Sequence, residues 1–345
     1  MKRKILFLLL ATILLFSGCV PPGNTPENTA LEANENTSPE PIKLKIGILP
    51  FSSYLPLYIA QVEGYFAKQG LDVEIVDFTR QAEIIPALIT KQIDITALAV
   101  DAAVLSAIHQ EAGLKIVADK GVIDANAQCS YGGFLANTDL ITSEDLNSPE
   151  SIATKTFIFP PASQFEYMLD QALLPFGLNT STVTTDYMIT PNIFEAFQAG
   201  EIDVAHMPEP WLSRVIETGK AEIWRSYEDL NPSGQLSVII FGPSVTQENT
   251  EAGNRFIAAY LQAVQQYNQG KTDRNVELMA EFTNSDLVSA ASSCWLSFSS
   301  DGSVNLESIL AYQEWAIAKG YVDNTLTVDQ LWDGSYLDSY YQNNP

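Results

Sequence analysis

Two serine hydroxyls and a tyrosine stand together at Ser52, Ser53 and Tyr54, directly after an apolar run that ends at Pro50. With Phe51 they combine flat apolar faces and a few polar atoms, the mixture that small-molecule pockets use, although an exposed serine turn carries the same residues. A second candidate loop, Leu98-Ala99-Val100-Asp101, closes another apolar run. There Asp101 either meets a ligand beside Val100 or caps the helix that Ala102 begins. In Pro161-Ala162-Ser163-Gln164-Phe165, Ser163 is either a plain N-cap or, with the free N–H groups of a helix start, a holder for an anionic or carbonyl oxygen. Prolines in that loop remove donors. No catalytic set accompanies these loops: there is no Gly-Xaa-Ser-Xaa-Gly elbow, no glycine-rich phosphate loop ending in lysine, and His109 and His206 lack metal-ligand spacing. The chemistry expected is recognition without catalysis, cofactor or metal.

The elements that position these loops are legible in the hydrophobic period. Leu44, Ile46 and Ile48 alternate as a strand, Leu55, Tyr58, Ile59, Val62 and Phe66 recur at helical spacing, and Leu71, Val73 and Ile75 resume the strand period. This strand-helix-strand unit predicts a parallel sheet, with residues 51–54 at its carboxyl edge, where open α/β sheets bind ligands. Ile84 to Ile89, Ile93 to Ile95, Val104 to Ile108 and Leu114 to Ala118 continue the alternation into a doubly wound lobe. A second series runs from Thr156 to Ala205, and the apolar stretch Gln235 to Phe241 is expected to return the chain to the first lobe. Ile93-Asp94-Ile95 and Ile202-Asp203-Val204 align as a weak pseudo-repeat. Amphipathic helices around Phe256 to Val264 and Leu306 to Ile317 follow.

At 345 residues the chain has length for about two domains. Its 42 acidic and 18 basic side chains give a net charge of -24, which argues against nucleic acid or an anionic membrane surface as partner. Residues 1–19 have a basic start, an apolar run from Ile5 to Phe16 and a small-residue exit at Ser17-Gly18-Cys19. They resemble a bacterial lipoprotein signal in which Cys19 becomes the acylated first residue. Residues 20–41 hold almost no large apolar residue and are expected to form a disordered tether. Cys129 and Cys294 then remain, and two buried free thiols are expected in preference to a bridge.

The segment Pro56 to Val76, PLYIAQVEGYFAKQGLDVEIV, resembles the opening signature of solute-binding proteins that serve ABC importers of the nitrate, sulfonate, taurine and thiamine-precursor type. That resemblance implies an α/β, two-lobed fold of the type II periplasmic-binding-protein kind, each lobe a doubly wound sheet, joined by a two-segment hinge. Residues 42–128 and 240–345 would form lobe 1 and residues 129–239 lobe 2. EIDVAHMPEPW, residues 201–211, resembles the family's cleft-mouth segment and implies that Glu209 and Trp211 face the ligand with Met207 near them. The alternative is a helix start with Glu209 at its positive end and Trp211 packed inside. The implied protein is a monomeric, lipid-anchored extracytoplasmic receptor that hands a small solute to an ABC permease and its ATPase. Phe51, Tyr54, Phe165 and Trp211 would suit a flat heterocycle by stacking, while scarce arginine weakens the case for a strongly anionic ligand. The rivals are a pyrimidine-forming enzyme of the thiamine-biosynthesis type, whose cysteine-rich motif is missing here, and a ligand-sensing partner of a membrane receptor.

Overall fold

The computed structural model describes residues 40–142 and 144–344, so the expected signal, Cys19 and nearly all of the tether lie outside it. Within it, β1 (Ile42–Ile48), β2 (Leu71–Asp77), β3 (Ile95–Leu98), β4 (Lys115–Asp119) and β10 (Val238–Phe241) form one five-stranded sheet in the order β2-β1-β3-β10-β4. A second sheet of five takes β5 (Gly132–Asn137), β6 (Thr156–Ile158), β7 (Thr184–Asp186), β8 (Val204–Pro208) and β9 (Ala221–Ser226) in the order β7-β6-β8-β5-β9. Two α/β lobes result, as the hydrophobic period predicts.

The sheets are mixed where a parallel sheet was expected. β1 runs parallel to β2 from Ile42 opposite Leu71 to Ile48 opposite Asp77, but β10 is antiparallel to β3 and β4, and β5 is antiparallel to β8 and β9. In each lobe the reversed strand is the one that arrives directly from the other lobe. No helical crossover on the same sheet delivers it, so the handedness rule for strand-helix-strand units does not set its direction.

β5 was hidden in the sequence because Gly132 and Gly133 lower its strand propensity. Packing requires both: a Cβ on Gly132 would lie 2.3 Å from the Tyr227 ring, and one on Gly133 2.4 Å from the Arg225 carbonyl oxygen. β5 then alternates as a strand between two cores. Phe134 and Ala136 enter the larger core, and Leu135 enters a smaller one with Ile158, Phe197, Ala205 and Val215. The smaller core lies beneath the helices Thr190–Ala199 and Trp211–Glu217.

The expected helix from Leu55 to Phe66 is two pieces, Leu55–Val62 and Tyr65–Lys68, parted at Gly64, whose φ of 71° is left-handed. Both pack on the long helix Thr250–Tyr267, where Phe66 stacks on Phe256 at 5.7 Å between centroids. Phe256 is fully buried, a contribution of about 1.5–3 kcal/mol from apolar area alone. The helix Leu306–Ala318 touches both lobes, packing on Ala102–His109 of the first and Gln164–Leu173 of the second.

Two segments cross between the lobes and are bonded to each other. Lys120 N donates to Ser237 O at 3.1 Å, Leu236 N to Gly121 O at 3.0 Å and Ile123 N to Gly234 O at 2.9 Å. Val122 N adds a bond to Ser297 O at 2.9 Å, which joins a third segment to the pair. Here the cysteine expectation is corrected: Cys129 and Cys294 form a disulfide, with Cα atoms 5.7 Å apart. Their separation of 165 residues made the pairing invisible in the sequence, since only the fold brings the crossing segment beside Cys294.

Candidate functional site: the interlobe cleft

The loop after β1 and the loop after β8 meet across the lobes. Ser52 N donates to the Glu209 carbonyl at 3.4 Å, Ser53 N to the Tyr131 hydroxyl at 3.2 Å, and that hydroxyl in turn donates to the Glu209 carbonyl at 3.4 Å. The Glu209 side chain is 1% exposed. Its Oε1 accepts from Ser213 Oγ at 2.6 Å and from Cys294 N at 3.1 Å, and its Oε2 from Ser213 N at 3.2 Å. Burial pushes this carboxyl up, and those three donors pull it back. The loops after β3 and β6 also meet, through Ala102 N donating to Ala162 O at 3.1 Å.

A cavity of about 440 Å³ opens beside the first of these junctions. Its walls come from Ser52 of the first lobe's loop, Ser213 and Arg214 of the helix Trp211–Glu217, and Thr283, Ser285 and Ser289 near the helices Asp273–Thr283 and Leu287–Ser292. The volume is that of a small-molecule site, and the walls are rich in hydroxyls. Arg214 spans the two sides by donating to Thr283 O at 2.8 Å. Ser52 Oγ is buried without a hydrogen-bond partner.

Ser53 and Tyr54 are backed by a buried lysine that no sequence motif marks. Lys120, 3% exposed, donates from Nζ to Ser53 Oγ at 2.7 Å and sits 3.5 Å over the Tyr54 ring. The available signal was a lysine directly after the apolar strand β4, at the first crossing. Ser213, Arg214 and the stretch from Thr283 to Ser293 were also missed, because helices of the carboxyl-terminal half gave no loop motif.

The remaining candidates are placed as follows. Tyr54 is buried, with its hydroxyl bonded to Ala97 O, and Val100 packs in the larger core. Phe51 is partly buried against that core. Asp101 caps its helix, accepting from Val104 N at 2.9 Å and from Gln81 Nε2 at 2.6 Å. Ser163 is an N-cap, accepting from Phe165 N at 3.2 Å, and Gln164 donates to Leu236 O in the second crossing. Phe165 lies 3.9 Å from the His206 ring, whose Nε2 bonds the Tyr227 hydroxyl. Burial lowers His206 to about 3, so its imidazole is neutral. Met207 belongs to the smaller core, away from the cavity wall. Trp211 packs on Phe194 at 5.9 Å and under Arg214 at 5.1 Å. Thus the four rings expected to stack on a heterocycle lie outside the cavity wall, and three of them carry protein partners on their faces. Among the described residues no His, Cys, Asp and Glu cluster fits a metal ion, and no helix is long and apolar enough to cross a membrane.

The family model described as NMT1/THI5 like matches residues 52–269, from the first cleft loop through the second lobe to the long packing helix. The chain belongs to this family. Among the curated proteins no sequence match was found. Solved structures share the fold of this NMT1/THI5-like chain. The alkanesulfonate-binding protein SsuA from Xanthomonas axonopodis pv. citri, bound to MOPS, is 18% identical with a TM-score of 0.68 over 86% of this chain and 99% of its own. The periplasmic nitrate-binding protein NrtA from Synechocystis PCC 6803 is 14% identical with a TM-score of 0.70, over 88% of this chain and 89% of its own. The desulfurization enzyme DSZB, 12% identical with a TM-score of 0.65, covers 88% of this chain and 100% of its own. At such identity the likeness establishes the fold, on which both binding and catalysis have been built.

Proposed function

We propose that this protein is the extracytoplasmic solute receptor of an ABC importer, held to the cell membrane by lipid on Cys19 and acting as a monomer that delivers a small polar solute to a permease and its ATPase. The observation that carries this reading is the hydroxyl-lined cavity of about 440 Å³ whose walls come from both lobes, beside the Ser52–Glu209 junction. A solute there touches both lobes at once, and contacts available only in the closed form favour closure. Membership in the NMT1/THI5-like family and the fold shared with SsuA and NrtA support the same reading.

The fold shared with DSZB keeps catalysis as the second reading. Against it, both described cysteines are joined in a disulfide, and the one histidine near the interface is buried, neutral and bonded to Tyr227. Neither of these cysteines nor this histidine is therefore free to act as a thiolate nucleophile or an imidazole base.

Calorimetric titration of the intact protein with small polar solutes, followed by recovery of the bound solute, tests the proposal. Saturable binding with the solute returned unchanged is expected; chemical conversion of the solute, or no binding by any of them, contradicts it. Fatty-acid labelling of the protein in cells should disappear in Cys19→Ala.

A further inference from the structure

The hydroxyls of the cavity wall face a solute as acceptors. A hydroxyl has one proton to give and two lone pairs with which to receive, so the place of its proton decides what it offers. Ser213 Oγ donates to Glu209 Oε1 at 2.6 Å, Ser289 Oγ to Asp286 Oδ2 at 2.8 Å and Ser293 Oγ to Ala290 O at 3.1 Å. Thr283 Oγ1 donates to Met279 O at 2.8 Å, which leaves Ser285 Oγ to donate to Thr283 Oγ1 at 2.9 Å. All five side chains belong to the wall, and each has given its proton to the protein. What they offer a solute is lone pairs.

The charges on the wall point the same way. Two are carboxylates, Glu217 and Asp286, against the single guanidinium of Arg214. Arg214 already donates from Nη2 to Thr283 O at 2.8 Å and stands 5.1 Å from the Trp211 ring. Lys271, outside the wall, gives its Nζ to the carbonyls of Ala291 and Ser293 at 2.7 and 2.8 Å. Asp286 Oδ1 accepts from Val288 N and Ser289 N at 2.9 Å, and these bonds hold the carboxyl below its usual range while Oδ2 keeps a lone pair. Glu217 is exposed, and near enough to Glu209 for its charge to add to burial in raising that carboxyl. None of the ion pairs among the described residues includes Glu217 or Asp286. Independently of these charges, the wall holds an unmet buried group: Ser52 is 2% exposed and its Oγ has no hydrogen-bond partner. Such an atom is costly in a folded protein, and a polar solute in the cavity would pair it.

We infer that the solute carries a protonated amine, received by the charges of Glu217 and Asp286 and by the lone pairs of the Ser285 and Ser289 hydroxyls, with Ser52 Oγ pairing a polar atom at the first lobe's end of the cavity. An ammonium is the ion that fits such a wall, since it has three protons to give and no lone pair. An anion meets two like charges and a set of acceptors, and a neutral alcohol lacks the charge that both carboxylates favour. This rests on the receptor reading and narrows it to cationic solutes, alkyl amines and amino alcohols, whose nitrogen keeps its proton at neutral pH.

The test is calorimetric titration of the full-length protein in detergent with putrescine and ethanolamine, with 1,4-butanediol and ethylene glycol as their neutral shape matches, and with succinate and methanesulfonate as anions. At least one amine should bind and its neutral match should not. Glu217→Gln and Asp286→Asn should each weaken that amine by about fivefold or more, a loss between that of one exposed ion pair and that of one charge-assisted hydrogen bond. Both variants should melt within a few degrees of the wild type, because Glu217 is exposed and asparagine still caps the helix Leu287–Ser292. Equal amine affinity in wild type and both variants, or equal affinity for the neutral match, overturns the inference. Binding of the diols or the anions alone overturns it and leaves the receptor reading standing; binding of none overturns both.

Discussion

Trp211 and His206 flank the loop that carries Glu209, and the ring of each packs on protein neighbours. The Trp211 ring contacts Phe194 and Arg214, and its Nε1 is buried without a partner. Trp211→Ala should therefore lower unfolding free energy by about 2–3 kcal/mol, less than a fully buried tryptophan because the ring is half-buried, and leave solute affinity within about twofold. Denaturant unfolding and calorimetry on the same preparation check both parts. His206 titrates near 3 in the folded protein because burial disfavours its charged form, against an ordinary value of 6.5. Between those values the unfolded chain binds a proton that the folded chain refuses, so this histidine withdraws stability as pH falls from about 6.5 toward 3 and withdraws none above that range. His206→Gln should flatten the acid side of the stability curve, seen as a smaller loss of unfolding free energy between pH 7.5 and pH 4.5 than the wild type suffers.

Each crossing segment is short, yet together they hold the lobes through backbone bonds, the Asp119 cluster and the Cys129–Cys294 bridge. That bridge ties the first crossing to the segment whose Cys294 N–H meets Glu209 and whose Ser293 lines the cavity. Removing it by Cys129→Ala with Cys294→Ala should cost about 2–5 kcal/mol, read as a lower denaturant midpoint that added reductant no longer shifts. Elements of this kind mark the limit of what the sequence disclosed. The strands β1 and β2 and the long helix Thr250–Tyr267 were legible from their periods, and β4 from its short apolar run. β3, expected around Ile93 to Ile95, spans Ile95–Leu98 and takes in Leu98 of the expected loop, since its residues are buried at every position. β5 and β9 were not legible: the first carries two glycines needed for close approach, and the second, AEIWRS, buries only Ala221 and Trp224 and so lacks an alternating face. Of the candidate loops, residues 51–54 stood out by their place at a sheet edge and Glu209 and Trp211 by resemblance, and of the residues so named Ser52 lines the cavity. Lys120 and the hydroxyls of residues 283–289 were not legible, since burial and the third segment's return to the cleft are properties of the assembled chain.

Across the whole described unit, closure is held at two separate places. On one side Tyr312 donates to Ala162 O at 2.7 Å, and Asp170 meets both Lys319 and Trp315 at 2.8 Å; on the other Arg214 reaches Thr283 O. The cavity lies on the Arg214 side and is bounded by both lobes, so a solute there is enclosed by the same closure that these contacts report. Blocking that space should abolish binding without unfolding either lobe, because the cavity wall at Ser289 borders open volume rather than core. The most direct measurement is native mass spectrometry of full-length protein and its Ser289→Trp variant, each presented with the same mixture of small polar solutes under non-denaturing conditions. The account predicts a single small-molecule adduct on the wild type, released on denaturation, and none on the variant, whose melting temperature stays within a few degrees. An adduct of equal abundance on both proteins would show that the solute binds elsewhere and would contradict the account.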